Sequence, residues 1–252
     1  MKDSYSIFAR YYDKLTENIN YQDLAEYFNT LIKKFNGKEK GILLDLACGT
    51  GNISEKMSQL GYDVIGIDNS EGMLNCAIEK KIENNLNIQY IYQDMRKIDM
   101  FGTVDTTICV LDSINHLDNL EDISKVFSRV SLFSEPNGLF IFDVNTKYKH
   151  QEVLANNVFI FETDEVYCVW SNSYQDETDE VNIDLEFFER DGDRDIYIRY
   201  SESFSEKAYD IADLDKILMN NNFEVLAHYD GFSLNSPNYK SERIVFVARK
   251  VK

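Results

Sequence analysis

Asp45, Asp68, Asp94 and His116 are the residues whose types and positions could do chemistry, because each stands at or near the point where a β-type run gives way to a turn. Asp45 sits in Leu43-Leu44-Asp45-Leu46-Ala47-Cys48-Gly49-Thr50-Gly51, an apolar run that ends in two glycines and opens into the helical pattern of Asn52 to Leu60. A glycine turn between strand and helix lets the backbone approach a ligand closely, and it aims free N–H groups and the positive helix end at that ligand. The expected ligand is nucleotide-like. The turn reads D-x-A-x-G-x-G rather than G-x-G-x-x-G, with Ala47 and Ser54 at the first and third glycine positions, so close packing on a pyrophosphate is poorly provided for. The Asp45 carboxylate suits an ammonium group and repels a diphosphate. Asp68 ends Tyr62-Asp63-Val64-Ile65-Gly66-Ile67-Asp68, 17 residues beyond Gly51, and an acid there suits the two hydroxyls of a ribose. Asn69 and then Ser70, a helix-opening cap, follow it. His116 lies in Leu111-Asp112-Ser113-Ile114-Asn115-His116-Leu117, at the exit of a fourth strand, where it is either a general base or a loop histidine with satisfied hydrogen bonds.

These residues need a sheet whose strand ends converge. Helical spacing predicts helices over 3–16 and 20–35, then strand and helix alternate through Ile88 to Tyr92, Val104 to Val110, a helix over 119–134, a turn at Pro136-Asn137-Gly138 and a fifth strand, Leu139 to Asn145. The alternation then stops. Val158 to Phe161, Val166 to Trp170, Val181 to Phe188 and Ile196 to Tyr200 have period-2 patterning, with Asp191-Gly192 as a hairpin turn, and so form an antiparallel insertion. A helix through Ala208, Ile211, Leu214, Ile217 and Leu218 leads to two closing strands, Phe223 to Tyr229 and Arg243 to Ala248, with no helix between them. The expected fold is a doubly wound, Rossmann-like α/β domain with a seven-stranded sheet, an antiparallel final strand and a small antiparallel β insertion. The expected domains are a main domain of residues 1–150 and 205–252 and a lid of residues 151–204 over its ligand-bearing edge.

In the order and intervals of these motifs, the chain resembles the class I S-adenosylmethionine-dependent methyltransferases of small-molecule type. The resemblance implies S-adenosylmethionine as cofactor, with its adenosine beside the first turn of the helix after Asp68, where Met73 lies. It places the acid of Gln93-Asp94-Met95-Arg96 at the adenine amino group and Met95 against the ring. Ala9-Arg10-Tyr11-Tyr12-Asp13-Lys14-Leu15 and Tyr21 look like the leader that closes over the methionine end, which makes Tyr12 a cofactor-side and catalytic candidate. The implied cofactor set is Tyr12, Tyr21, Asp45, Ala47, Gly49, Gly51, Asp68, Asn69, Met73, Asp94, Met95 and Leu111, with His116 and Tyr12 catalytic and no metal. Two departures stand out: Ala47 replaces a frequent glycine, and no Asn/Asp-Pro-Pro-Tyr follows the fourth strand, which argues against a nucleobase or glutamine amide as acceptor. Two alternatives use the same fold: a nicotinamide-dependent oxidoreductase, which leaves Asp45 unexplained, and a non-catalytic cofactor-binding or interaction protein.

The chain has 252 residues, 44% of them hydrophobic, with a net charge of −18, which disfavours DNA and structured RNA as substrates, since nucleic-acid binders need clustered Lys and Arg. The segment 151–204 holds 15 acids against 3 arginines and no lysine, a charge of −12 that favours a cationic, amine-bearing acceptor. Acids on the outer face of a half-exposed sheet also serve simply to keep an edge soluble. Cys48, Cys76, Cys109 and Cys168 lack paired spacing and read as free thiols. With no membrane-length apolar run and no apolar leader, the expectation is a cytoplasmic monomer or homodimer acting on a small molecule, with no membrane or nucleic-acid partner.

Overall fold

Leu43, Leu44 and Leu46 in β1 (Ile42–Leu46) have no solvent exposure, because the strand lies between two parallel neighbours, β2 (Asp63–Asp68) and β4 (Val104–Cys109), in a sheet packed on both faces, Leu43 toward one and Leu44 and Leu46 toward the other. A strand covered on both faces carries an unbroken apolar run rather than an alternating one. The computed structural model describes residues 6–36, 40–192 and 196–251. β3 (Ile88–Tyr92) extends the sheet beyond β2, and β5 (Ser134–Asn145) lies beside β4. The last two strands of the chain, β10 (Phe223–Asp230) and β11 (Arg243–Lys250), complete it, giving the order β10-β11-β5-β4-β1-β2-β3 with β11 antiparallel to both neighbours. This is the expected seven-stranded sheet. Its order reverses between β1 and β4, and ligands bind at the carboxyl ends of strands flanking such a switch.

Helices cover both faces. α2 (Tyr21–Asn36) and α3 (Asn52–Gln59) bury Phe28, Leu31 and Met57 against Leu43, Ile108 and Val245. On the other face α5 (Leu120–Phe133) and α6 (Ile211–Asn220) bury Phe127, Leu214 and Leu218 against Phe140, Phe142 and Phe246. α4 (Glu71–Glu83) follows β2 and contacts β3. Asn119 caps α5 by accepting from the Asp122 N–H at 2.9 Å.

The insertion is a separate antiparallel sheet of β6 (Val158–Glu162), β7 (Val166–Gln175), β8 (Glu180–Arg190) and β9 (Tyr197–Lys207). Its inner face, with Val181, Ile183, Leu185 and Phe187 buried, packs on α1 (Ser6–Leu15) through Ile7, Phe8 and Tyr11. The first three residues of the helix expected over 3–16 lie outside the described residues. β9 runs three residues past position 204, because Ser205 to Lys207 pair with Asn182 to Glu180. The β8–β9 connection spans residues 191–196, longer than an Asp-Gly hairpin, with 193–195 outside the description. Pro136-Asn137-Gly138 is an excursion within β5: Val104 pairs with Ser134 but Thr106 pairs with Leu139.

Candidate active site

The turn after β1 uses three positive-φ residues, Ala47 (60°), Gly49 (54°) and Gly51 (78°). Its two glycines do different work. A Cβ on Gly51 would collide with the Tyr90 hydroxyl and Ala77, whereas a Cβ on Gly49 would meet nothing within 4 Å. Gly51 is thus a packing glycine off the cavity wall, and Gly49 faces the open space where a ligand can approach. The Gly49 N–H donates to Asp68 Oδ2 and the Ser70 N–H to Asp68 Oδ1, both at 2.8 Å. Burial pushes the Asp68 carboxyl up while these donors oppose it, and they fix its orientation with lone pairs left for two hydroxyls. Asn69 and Met73 continue this wall, and Ser70 Oγ caps α4 by accepting from the Met73 N–H.

Asp45 lies behind the turn rather than on the wall. It is 1% exposed; its Oδ2 accepts from Ser54 Oγ at 2.5 Å, and Oδ1 is a buried atom with no hydrogen-bond partner among the described residues. Burial raises its carboxyl to about 7. Asp94 is on the wall, but Arg96 holds it: the Arg96 Nη2 donates to Oδ2 at 2.6 Å and the Arg96 N–H to Oδ1 at 2.8 Å, which lowers its pKa. Met95 is beside it on the wall.

On the opposite side Leu111 (φ 56°) and Asp112 (φ 59°) are consecutive left-handed residues, a costly conformation outside glycine. Asp143 holds them there, accepting the Leu111 N–H at 2.7 Å and the Asp112 N–H at 3.0 Å. Arg243 of β11 ties the two acids together, through Nη1 to Asp143 and Nη2 to Asp112. The short 3-10 turn Ser113–His116 then carries His116 onto the cavity wall, its ring 5.4 Å from that of Phe204. Asn115 joins the two sheets by donating to the carbonyls of Asn145 (3.1 Å) and Lys207 (2.8 Å). One ligand atom each of Asp112, His116 and Glu206 lie within 4.8 Å of one another. Asn145 Nδ2 donates to Glu206 Oε2 at 2.9 Å, and Lys149, whose pKa burial lowers, donates to Asn145 Oδ1 at 2.9 Å.

α1 closes the remaining side. Tyr12 lines the cavity, and its hydroxyl is raised well above the usual phenol value by burial and then by Tyr21, so it stays protonated. Tyr21 stands behind, donating to Thr16 Oγ1 at 3.0 Å. Asp13 anchors the helix by accepting from Thr50 Oγ1 (2.6 Å), Asn52 Nδ2 (2.8 Å) and Lys80 Nζ (2.7 Å). Toward the insertion, Arg10 and Tyr11 both donate to Glu189.

All of this surrounds one cavity of about 1010 Å³, whose wall includes ten of the sequence-derived positions and excludes Tyr21, Asp45 and Gly51. Sequence reading missed Lys149, Glu206 and Arg243. The acid Asp143, set inside the apolar strand Leu139 to Val144, was the one available signal of the network behind them. The open face at Gly49 and the acid at Asp68 fit a nucleoside without phosphates, as S-adenosylmethionine is.

A family model described as a methyltransferase domain matches residues 43–138. The chain is 31% identical to YqeM of Bacillus subtilis (strain 168), which bears a methyltransferase name, over 98% of both proteins. It is 32% identical to an S-adenosylmethionine-dependent methyltransferase from Clostridium acetobutylicum ATCC 824, whose crystal structure superposes with a TM-score of 0.86 over 97% of this chain and 98% of that one. The S-adenosylmethionine-bound structure of CalS10 from Micromonospora echinaspora, 18% identical with a TM-score of 0.73 over 93% of each chain, shares the fold. Glycine turn, switch-point sheet and full-length similarity agree, and the chain belongs to the class I S-adenosylmethionine-dependent methyltransferases, as an enzyme whose cofactor is S-adenosylmethionine.

Proposed function

We propose that this methyltransferase acts on a small-molecule amine bound between the carboxyl edge of the seven-stranded sheet and the four-stranded sheet. The observation that carries this reading is the cavity: a single space of about 1010 Å³ with Gly49 and Asp68 on one side and Phe161, Trp170 and Phe204 on the other. Small-molecule sites run from about 300 to 1,000 Å³, so this volume takes a nucleoside cofactor and a second small molecule together. In this reading residues 151–204 are the acceptor lid on a main domain of 1–150 and 205–252. Asp68 receives the ribose hydroxyls, with Asn69, Met73, Ala47 and Leu111 around the adenosine. Asp94 and Met95 bound the adenine, while Tyr12, backed by Tyr21, closes the methionine end. Gly49 and Gly51 shape the turn, and Asp45 acts from beneath it.

S-adenosylmethionine supplies a methyl group on a positively charged sulfur. The chain's residues must align the acceptor nitrogen, exclude water and take up the acceptor's proton. His116 is the proton acceptor in this reading, and Tyr12, held as a neutral phenol, donates a hydrogen bond and does not serve as a base. Part of the insertion's acidity is paired, as in Arg10–Glu189, Lys14–Glu165, Lys147–Asp179 and Lys207–Glu180. Its field therefore acts on encounter, within a Debye length of about 8 Å in physiological salt. The test is a panel of amines, phenols and carboxylates assayed for S-adenosylhomocysteine. Amines are expected to turn over fastest; a phenol or carboxylate as best acceptor refutes the reading.

A further inference from the structure

We infer that Asp112, His116 and Glu206 form the subsite for the acceptor's ammonium group, and that the acceptor is a primary or secondary amine on an apolar or aromatic body. This rests on the amine reading above and assigns it to three side chains from separate elements: the exit loop of β4, the short turn after it, and β9. Their ligand atoms lie within 4.8 Å of one another, so some point is within about 2.8 Å of all three, the length of an N–H···O bond. One nitrogen can therefore reach all of them.

The surroundings favour a monocation. Each carboxylate already accepts from one fixed donor: Asp112 from Arg243 Nη2 and Glu206 from Asn145 Nδ2. Each keeps lone pairs for a further N–H. A divalent ion would sit beside the guanidinium of Arg243, whereas an alkylammonium has a single charge to place and donors to share. Arg243 is balanced by Asp143, so the two pocket-facing carboxylates of Asp112 and Glu206 outweigh the single charge of Lys149 beside them.

His150, fully buried and not on the cavity wall, packs behind Glu206: its Nε2, with no hydrogen-bond partner among the described residues, lies 3.6 Å from Glu206 Oε2. The body of the acceptor is set by the rings around the cluster: Phe204 beside His116, then Trp170 and Phe161 along the wall. Asp112 and Glu206 hold the charged amine. One N–H bond then breaks toward a ring nitrogen of His116; the electron pair stays on the acceptor nitrogen as its lone pair, and the imidazole becomes imidazolium.

Trp170 is the chain's single tryptophan, and it lines the cavity, so its fluorescence reports binding directly. The probe is benzylamine at pH 7, as benzylammonium, titrated into the full chain with S-adenosylhomocysteine present, against benzyl alcohol as the neutral counterpart. Benzylammonium is expected to bind at least about tenfold more tightly, and Glu206→Gln to remove that advantage while leaving benzyl alcohol unchanged. Equal affinity of the two probes for the unaltered protein overturns the subsite, and this comparison needs no variant to fold. Because His116 is exposed, His116→Gln is a second variant that tests the proton transfer: kcat for the best amine falls by a larger factor than KM rises, and an unchanged kcat overturns the transfer. Displacement of benzylammonium by MgCl2 or ZnCl2, reversed by chelator, reassigns the cluster to a divalent cation and also overturns it. If amines are methylated but Glu206→Gln leaves their KM unchanged, the subsite falls and the amine reading stands; if the panel finds only phenols or carboxylates, the amine reading itself falls.

Discussion

Arg243→Met should be the most damaging single change near the site. Its guanidinium joins two acids, and one of them, Asp143, is fully buried while also accepting the N–H groups of Leu111 and Asp112. Breaking a buried ion pair by removing one partner costs about 3–5 kcal/mol, because a charge is left uncompensated. Two carboxylates lose their partner here, but Lys149 remains close to both, so the expected loss stays in that same range of about 3–5 kcal/mol and does not double. The pH dependence has a definite sign. In the unaltered protein burial pushes Asp112 up, but Arg243 and then Lys149 outweigh it and hold the carboxyl below its ordinary value. A depressed carboxyl stabilises above the unfolded value of about 3.9 and loses that contribution as pH falls. Asp143 is already raised by burial against the pull of Arg243. Without the guanidinium both acids move up, and a raised carboxyl contributes below its unfolded pKa and loses that contribution as pH rises through its folded one. The deficit of the variant should therefore widen from pH 5 to pH 8. Urea unfolding of both proteins at pH 5, 6, 7 and 8, compared by midpoint at constant slope, measures it. A deficit below about 1 kcal/mol at pH 7, or one that is flat with pH, refutes the account.

Asp68→Ala removes acceptors for two hydroxyls, worth on the order of 1.5–3 kcal/mol each, so calorimetric affinity for S-adenosylmethionine should drop at least tenfold; an unchanged affinity in folded protein removes the ribose assignment. Asp45 is raised to about 7 by burial, so its contribution is present below pH 4 and lost as pH rises through 7, a span worth on the order of 4 kcal/mol. Asp45→Asn should flatten stability between pH 5 and 8, and a slope like that of the unaltered protein counts against the assignment. Asp13→Ala cuts three hydrogen bonds from α1 to the glycine turn, α3 and α4, with an expected loss of about 1–2 kcal/mol and faster proteolysis ahead of α2. Proteolysis at the unaltered rate would show that the apolar contacts of α1 suffice. Added salt should lower kcat/KM for the best amine and leave kcat nearly constant, whereas a salt-independent kcat/KM limits the insertion to a shape filter.

The sheet was legible because its strands announce themselves locally. Leu43 to Leu46 reads as a doubly covered strand, and Val181, Ile183, Leu185 and Phe187 as one face of a singly covered one, and both patterns are properties of neighbouring residues. The cavity wall was legible where polar residues follow the strand ends, at Gly49, Asp68 and His116. It was not legible where the chain folds back on itself. Arg243 meets Asp112 across 131 positions, and Glu206 meets Asn145 across 61. The side of the turn on which a residue lies is also invisible in one dimension, which is why Asp45 and Gly51 were grouped with Gly49 though they sit behind it. The hold of Arg96 on Asp94 was hidden as well, because it depends on a 3-10 turn, Met95–Lys97, that brings Arg96 back onto it.

The seating of α1 has a consequence for how the chain is made. The helix carries Ile7, Phe8 and Tyr11, whose burial depends on Val181, Ile183 and Phe187 in β8, and the Phe8 N–H donates to Glu202, 194 positions away. During synthesis, at roughly 5–20 residues per second, α1 waits many seconds for the strands that cover it. Until then only α4, through Met73, covers part of its apolar stripe, and a nascent helix of ten residues is too short to hold its shape unaided. The main sheet can assemble from β1 to β5 before the insertion exists, but α1 can bury the whole of that stripe only after it. Full packing of α1 is thus a late step of folding, and a bulky fusion that holds the amino end away leaves the insertion's core without its cover.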